Sequence, residues 1–209
     1  MTWLKSKPIK YGLLTSLLVL VLTALYVYQT LHASLPRLEG ELTFPSLQGN
    51  VTIERDEQGI PTISSSSRSD TAFALGFLHG QERFFQMDLL RKNSAGELSE
   101  LFGKRALKHD TKMRIHQFRK RGKLAIAQLP AQHLKVMVAY RDGINAGLKD
   151  LKNKPFEYYL LASEPQPWQS EDSLLSLYSM YIDLQPIWSE SERSLAVMKD
   201  KLPADWFEF

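Results

Sequence analysis

Gly12 to Leu31 reads GLLTSLLVLVLTALYVYQTL, twenty residues without a charge, in which only Thr15, Ser16, Thr23, Gln29 and Thr30 are polar. As a helix rising 1.5 Å per residue, such a run spans roughly 30 Å, the thickness of a bilayer core. Tyr11, Tyr26 and Tyr28 stand near its ends, where amphipathic rings prefer the headgroup layer. Lys5, Lys7 and Lys10 precede it, which favours a cytoplasmic N-terminus and puts the rest of the chain on the far side. Residues 1–33 therefore read as a signal anchor. The alternative is a signal peptide cut after Ala33, which would need Leu31 at a position that prefers a small residue.

Those lysines also account for the charge of the chain. The formal charge is +3, from 26 Lys plus Arg against 23 Asp plus Glu, and no other charged side chain precedes Arg37. The remainder is neutral. A neutral body argues against generic nucleic-acid binding, which needs surplus Lys and Arg on one face. The absence of cysteine excludes a disulfide scaffold, thiolate metal sites and a Cys nucleophile. About 175 residues follow the apolar segment, enough for one domain of ordinary size.

Residues 34–49, with Pro36 and Pro45, read as a linker holding one short strand around Leu42. Val51 and Ile53 alternate with Thr52 and Glu54, the period of a half-buried strand. Asp56 to Gly59 forms a turn, and a second strand runs from Ile60 to Ile63, with Pro61 marking a sheet edge. Beyond the serines at 64–67 the pattern is helical. Asp70 or Ser69 is the expected cap of a helix bearing Phe73, Phe77 and Leu78, and a second helix carries Phe84 to Leu90. Gly76 and Gly80 allow a break or close packing, and Gly96 and Gly103 act as stops. Leu134, Met137, Val138, Ile144 and Leu148 form one apolar stripe on a helix after Pro130. Ser170 is the expected cap of a helix through Leu174 to Gln185, and a last helix passes through Leu195 and Met198.

Charge is polarised along this body. Lys104 to Lys123 holds nine bases and one acid, Asp110, and the residues after Pro155 hold ten acids and three bases. Two solvated faces, meeting each other across the fold, are the expectation. No G-x-S-x-G, H-E-x-x-H, P-loop or Rossmann glycine pattern occurs. The histidines are scattered, and His79, between Leu78 and Gly80, reads as a packed helix histidine. Arg83 with Glu82 or Asp88, and Glu97 with Glu100, read as helix-surface or helix-packing charges.

A longer string is more specific. Val51 to Ile63 (VTIERDEQGIPTI), Asp70, and Leu75 to Gly103 (LGFLHGQERFFQMDLLRKNSAGELSELFG) are followed by Tyr140-Arg141-Asp142-Gly143-Ile144-Asn145-Ala146 and by Pro167-Trp168 with Asp172. In this order they resemble the start of the penicillin acylase family of N-terminal-nucleophile hydrolases, over about Val51 to Leu195. Thr62 departs from the histidine usual at that place. The resemblance implies an α+β fold: the mostly helical α-chain portion of an αββα hydrolase with two short N-terminal strands, over residues 50–209. Joined to the anchor reading of residues 1–33, this gives a bacterial inner-membrane protein with its body in the periplasm, or an exported periplasmic body if the signal is cleaved.

Family members cleave themselves into α and β chains, and the β chain begins with the nucleophile, most often Ser. A Ser hydroxyl needs a base to take its proton, and a free terminal amine, with an unperturbed pKa of about 8, serves. No Ser-Asn pair occurs here, so no catalytic residue is assigned in this chain, and the expectation is an α-chain region whose nucleophile lies on a β chain. The implied reaction is hydrolysis of an N-acyl amide, either a β-lactam side chain or an N-acyl homoserine lactone, through a Ser acyl-enzyme. By the same resemblance Met180 falls at the acyl-pocket position, with Leu184 one turn on and Tyr178 and Tyr181 as neighbours. Glu190, with Glu192 as rival, corresponds to the α-chain ligand of a structural Ca²⁺ shared with the β chain, and no organic cofactor is implied. The alternative function is a non-enzymatic, membrane-tethered helical interaction protein derived from an acylase segment.

Overall fold

A computed structural model describes residues 7–203 and Trp206, apart from the side chains of residues 7–9 and 186–190. The fold is α+β and mostly helical. The order is α1 (Lys7–Ala33), β1 (Val51–Arg55), β2 (Pro61–Ser65), α2 (Arg68–Glu82), α3 (Phe84–Ala95), α4 (Ser99–Phe102), a 3₁₀ turn (Gly103–Ala106), α5 (Leu107–Arg114), α6 (Phe118–Ala127), α7 (Ala131–Asp150), α8 (Phe156–Leu160), α9 (Ser170–Asp183) and α10 (Pro186–Lys201).

α1 is long and apolar enough to cross a membrane, and none of its apolar window is buried against the body. β1 and β2 form an antiparallel hairpin with Ile53 opposite Ile63 and Arg55 opposite Pro61. Asp56 closes the turn by accepting from the amides of Gln58 (2.9 Å) and Ile60 (2.8 Å), while Gly59 takes φ +78°. An Asp side chain bonding its own backbone in this way is a standard turn device.

The spine of the body is the pair α2 and α7, which meet backbone to backbone through two glycine pairs at four-residue spacing. A Cβ at Gly76 or Gly80 would lie 2.2 Å from the carbonyl oxygen of Tyr140 or Ile144. A Cβ at Gly143 or Gly147 would lie 2.0 Å from that of Phe73 or Phe77. Gly76 and Gly80 therefore mark close packing, not a break, because four residues return each glycine to the same helix face. Around this seam Phe84, Ile144, Tyr158 and Trp168 form a buried core, with Phe85, Met87, Tyr140 and Leu148 against it. Phe84 and Trp168 meet edge to face at 6.3 Å, a favoured geometry for aromatic pairs.

Residues 34–49 contain no strand, so the one expected around Leu42 does not form. This segment instead rests on α2. The Phe44 ring lies 5.0 Å from that of Phe73, and the buried Asp70 carboxylate accepts from the amides of Gln48 and Gly49. Neither Asp70 nor Ser69 is the cap of α2. Ser67 is, because its backbone is extended and its hydroxyl accepts from the Asp70 amide, whereas Asp70 already lies in the first turn. Similarly Gln169, not Ser170, caps α9, through a reciprocal box with Asp172. α9 ends at Asp183, short of Gln185, since Leu184 closes the last turn onto Met180 and Pro186 has no amide with which to continue.

The seam predicts the outcome of adding one methyl group. Gly143→Ala should cost about 3 kcal/mol or more, because the obstacle is backbone and cannot rotate away. Gly122→Ala, whose Cβ would meet nothing nearer than the Glu171 Cβ at 3.4 Å, should be neutral or gain up to about 1 kcal/mol from helix propensity. Denaturant unfolding of the full chain in detergent compares the two. Equal stability of both variants would refute the close-contact account.

Candidate functional site

α9 has two unlike faces. The inner face carries Asp172, Leu175 and Ser179, all fully buried. The outer face carries Leu177, Met180, Tyr181 and Leu184, all more than half exposed, with Met180 at 53% and Leu184 at 66%. The sequence expectation for Met180 and Leu184 therefore meets an open apolar strip. Tyr178 leaves that strip and stacks on Phe118 of α6 at 4.8 Å, while Tyr181 stays on it. Glu190 lies outside the described residues, and Glu192 is exposed on α10.

The inner face is held by a chain of charges that crosses the core. Arg91 of α3 makes four hydrogen bonds: Nε to Asp88 (2.6 Å), Nη1 to Asp172 (2.6 Å) and the Pro167 carbonyl (3.1 Å), and Nη2 to the Gln166 carbonyl (2.8 Å). Its guanidinium also lies 4.9 Å from the centre of the Trp168 ring. Asp88 accepts from the Tyr158 hydroxyl of α8 at 2.6 Å. Asp172 accepts in addition from the Gln169 amide (2.7 Å) and from Arg119 of α6 (2.8 Å), and Arg119 grips Glu97 with two nitrogens at 2.6 and 2.5 Å. One connected chain thus joins α3, α6, α8 and α9.

Burial opposes the positive charge of Arg91, but the carboxylates of Asp88 and Asp172 outweigh it and hold its pKa above the ordinary value. Burial, with Asp88 beside it, pushes the Tyr158 hydroxyl up, so it remains a donor. These carboxylates are engaged by guanidinium groups and by a phenol that does not ionise. The nearby hydroxyls of Ser94, Ser173, Ser176 and Ser179 meet carbonyls, an indole or an amide. The arrangement fixes a helix in place and offers no activated nucleophile. Among the described residues no three His, Asp or Glu side chains converge on a cation position.

The sequence motifs explain themselves here. Asp88, Arg91, Asn145, Trp168 and Asp172 belong to three separated strings, and the fold brings them together. Asn145 donates to the Trp168 carbonyl (3.0 Å) and accepts from its amide (2.8 Å), pinning the loop that Arg91 also grips. The sequence offers Glu82 or Asp88 as a neighbour of Arg83, whereas the structure pairs Asp88 with Arg91. The available signal was the i, i+3 spacing of Asp88 and Arg91 on one helix face. Glu97 and Glu100, expected as helix-surface or helix-packing charges, pair with Arg119 and with Lys92 (2.5 Å) respectively. The expected meeting of basic and acidic segments occurs where Arg119 reaches Asp172 and Lys123 approaches Glu171 at 3.8 Å. His79 is a packed helix histidine, its Nδ1 lying 2.7 Å from the Tyr140 hydroxyl across the α2–α7 seam.

Two measurements follow. Arg91→Met leaves Asp88 and Asp172 buried without their shared cation and should cost about 3–5 kcal/mol in denaturant unfolding. A loss below about 1 kcal/mol would mean that the network carries little. Burial lowers the pKa of His79, with Glu82 partly opposing and Arg83 assisting. The unfolded chain therefore takes up a proton near 6.5 while the folded one resists it, so this contribution is present above pH 6.5 and is lost as pH falls toward the folded value. His79→Gln should flatten that part of the stability profile on the acid side of neutrality.

Comparison with known proteins places this geometry. The penicillin acylase 2 proenzyme of Pseudomonas sp. (strain SE83) is 35% identical over 169 residues, which are 81% of this chain and 22% of that protein. The acyl-homoserine lactone acylase QuiP of Pseudomonas putida is 30% identical over 173 residues, 82% of this chain and 21% of that one. The chain thus spans about a fifth of the length of the curated relatives it matches. The thermostable penicillin G acylase from Alcaligenes faecalis shares its fold, with a TM-score of 0.61 and 22% identity over 72% of this chain and 81% of that chain. Residues 50–209 match the family described as penicillin amidase, and the chain belongs to that hydrolase family.

Proposed function

We propose that this chain acts as the α-chain part of an amidohydrolase that cleaves N-acyl amides, with the nucleophilic Ser supplied by a β chain. The observation that carries the reading is the asymmetry of α9 in a chain of this family. Its inner face is locked by Arg91 and Arg119, while its outer face presents Leu177, Met180, Tyr181 and Leu184 to whatever packs there. In this reading Met180 and Leu184 form one wall of the acyl pocket, and adaptable Met and Leu side chains accept an aromatic or an aliphatic acyl group. The Ser hydroxyl of the β chain attacks the amide carbon while its proton passes to that chain's own terminal amine; the resulting ammonium returns the proton to the leaving nitrogen as the C–N bond breaks, and water then hydrolyses the acyl-enzyme. The substrate class is a β-lactam side-chain amide or an N-acyl homoserine lactone, by likeness to relatives that carry those names.

Two further parts belong to this proposal. α1 spans the bacterial inner membrane with the body in the periplasm, supported by its length, its apolar surface and the three lysines ahead of it. Glu190, with Glu192 as the rival, would donate one carboxylate to a Ca²⁺ shared with the β chain. A carboxylate oxygen is the kind of ligand a hard cation takes, and the other oxygens of the site would come from the partner.

The test is hydrolysis of N-phenylacetyl and N-dodecanoyl nitroanilides by the full chain, alone and co-produced with the β chain of the Pseudomonas sp. penicillin acylase 2. The chain alone should be inactive, and a complex should form and turn over. Met180→Ala in that complex should lower kcat/KM by roughly 10–100-fold through KM, the equivalent of about 1.4–2.8 kcal/mol of lost pocket contact. Turnover by the chain alone would overturn the reading. A cooperative monomer that binds no β chain would favour the non-enzymatic interaction protein.

A further inference from the structure

We propose that α8 and the residues just after α1 form a collar that docks into the lipid headgroup layer, so that the body lies against the bilayer instead of swinging on a tether. The proposal rests on α1 spanning the membrane and adds where the body sits.

The first observation is a rigid attachment. Two of the C-terminal carbonyls of α1, groups that a helix end leaves without an intrahelical partner, are taken by the α7–α8 connection, while those of Leu31 and His32 accept from the Ser34 and Leu35 amides. The Asn153 amide donates to the Ala33 carbonyl at 3.0 Å, and the Asn153 side chain reaches the Thr30 carbonyl at 3.4 Å. Ser34 returns a hydrogen bond to the Lys154 carbonyl at 2.8 Å, and Arg37 pairs with Asp150 at 3.3 Å. The second observation is length. The uncharged run of α1, Gly12 to Leu31, spans about 30 Å at 1.5 Å per residue, the thickness of the hydrocarbon, and the helix continues beyond it to Ala33. Its last turn therefore lies in the headgroup layer, and Asn153, bonded to that turn, lies there as well.

The third observation is what surrounds this point. Phe156, Tyr159 and Leu160 of α8 are exposed, Leu160 to 79%, although the intervening Tyr158 is completely buried in the core. Leu35 and Leu38 are exposed too, and they share with Phe156 the wall of a cleft of about 360 Å³. Lys154 lies 4.7 Å from the centre of the Tyr159 ring, its ammonium held by Glu164 (2.5 Å) and the Ser163 carbonyl (2.8 Å), and Lys152, two residues before it, is exposed. Exposed apolar and aromatic side chains beside an exposed lysine are a composition that settles at a membrane interface, with rings at the boundary and the Lys152 ammonium among phosphates. Leu160 on the outer surface of a water-facing helix would gain nothing. At the foot of a membrane helix it enters the boundary to a depth of about 5–10 Å.

The chain has no cysteine, so single-cysteine labelling reports one position at a time. Leu20→Cys, Leu160→Cys and Ile115→Cys are each labelled with an NBD fluorophore in the full chain, reconstituted in phosphatidylethanolamine–phosphatidylglycerol vesicles. Ile115 is as exposed as Leu160, at 79%, and lies in the α5–α6 connection. The label at 160 should emit to the blue of that at 115 and lose most of its intensity to a nitroxide placed near the headgroups. The label at 20 should be quenched best by a nitroxide deep in the acyl chains. Quenching at 20 with water-like emission at 160 would overturn the collar and leave the membrane span intact. No quenching at 20 would remove the span and the collar together. A label at 160 shielded from aqueous iodide but untouched by lipid nitroxides would mean that a protein covers α8, which also overturns the proposal.

Discussion

A guanidinium removed from water must find its partners at fixed places, and Arg91 determines much of this body by that requirement. Its fork is met by Asp88 on its own helix, by Asp172 at the start of α9 and by two carbonyls of the loop before Trp168. Each partner comes from a different part of the chain, so satisfying one cation fixes a helix, a helix start and a loop together. A pair of this kind is not a source of great net stability, since desolvation offsets much of the attraction. Its effect is on position. A sliding or rotated α9 would strand a buried charge, which costs far more than the pair gains.

The second constraint is the glycine seam. With no Cβ at four facing positions, α2 and α7 approach until carbonyls touch α-carbons, and the core forms around a rigid two-helix spine. The hairpin, the 34–49 segment and α3 are then placed relative to that spine. Packing and polar networks divide the work: the seam sets how near the helices come, and the Arg91 chain sets how the outer helices are turned. The outcome for function is a helix whose buried side cannot move and whose apolar outer side stays open.

The attachment of α1 belongs to the same logic. A helix end leaves carbonyls unpaired, and the body supplies Asn153 to take two of them. Under the proposed membrane span, a segment joined in this way would carry the orientation of the bilayer into the body and give the exposed aromatic and aliphatic residues of α8 a fixed relation to the lipid surface.

Much of this was legible from residues in sequence. The uncharged run of Gly12 to Leu31, the alternation around Val51 to Ile63 and the stripe from Leu134 to Leu148 each encode one local element, because periodicity is a property of neighbours along the chain. The ordered motifs were enough to expect the family and its α+β fold. Sequence could not assign Ser67 and Gln169 as caps, since a cap depends on which residue becomes extended, and Ser, Asp and Gln all bond backbone amides. Nor could it pair Arg91 with Asp172, eighty-one positions away, or read the glycines at 76, 80, 143 and 147 as one seam. Local pattern determined which segments are helices and which face of each is apolar. Only the tertiary structure decided which charges meet and which apolar face is left uncovered, because desolvation and close contact act between groups that the chain holds far apart.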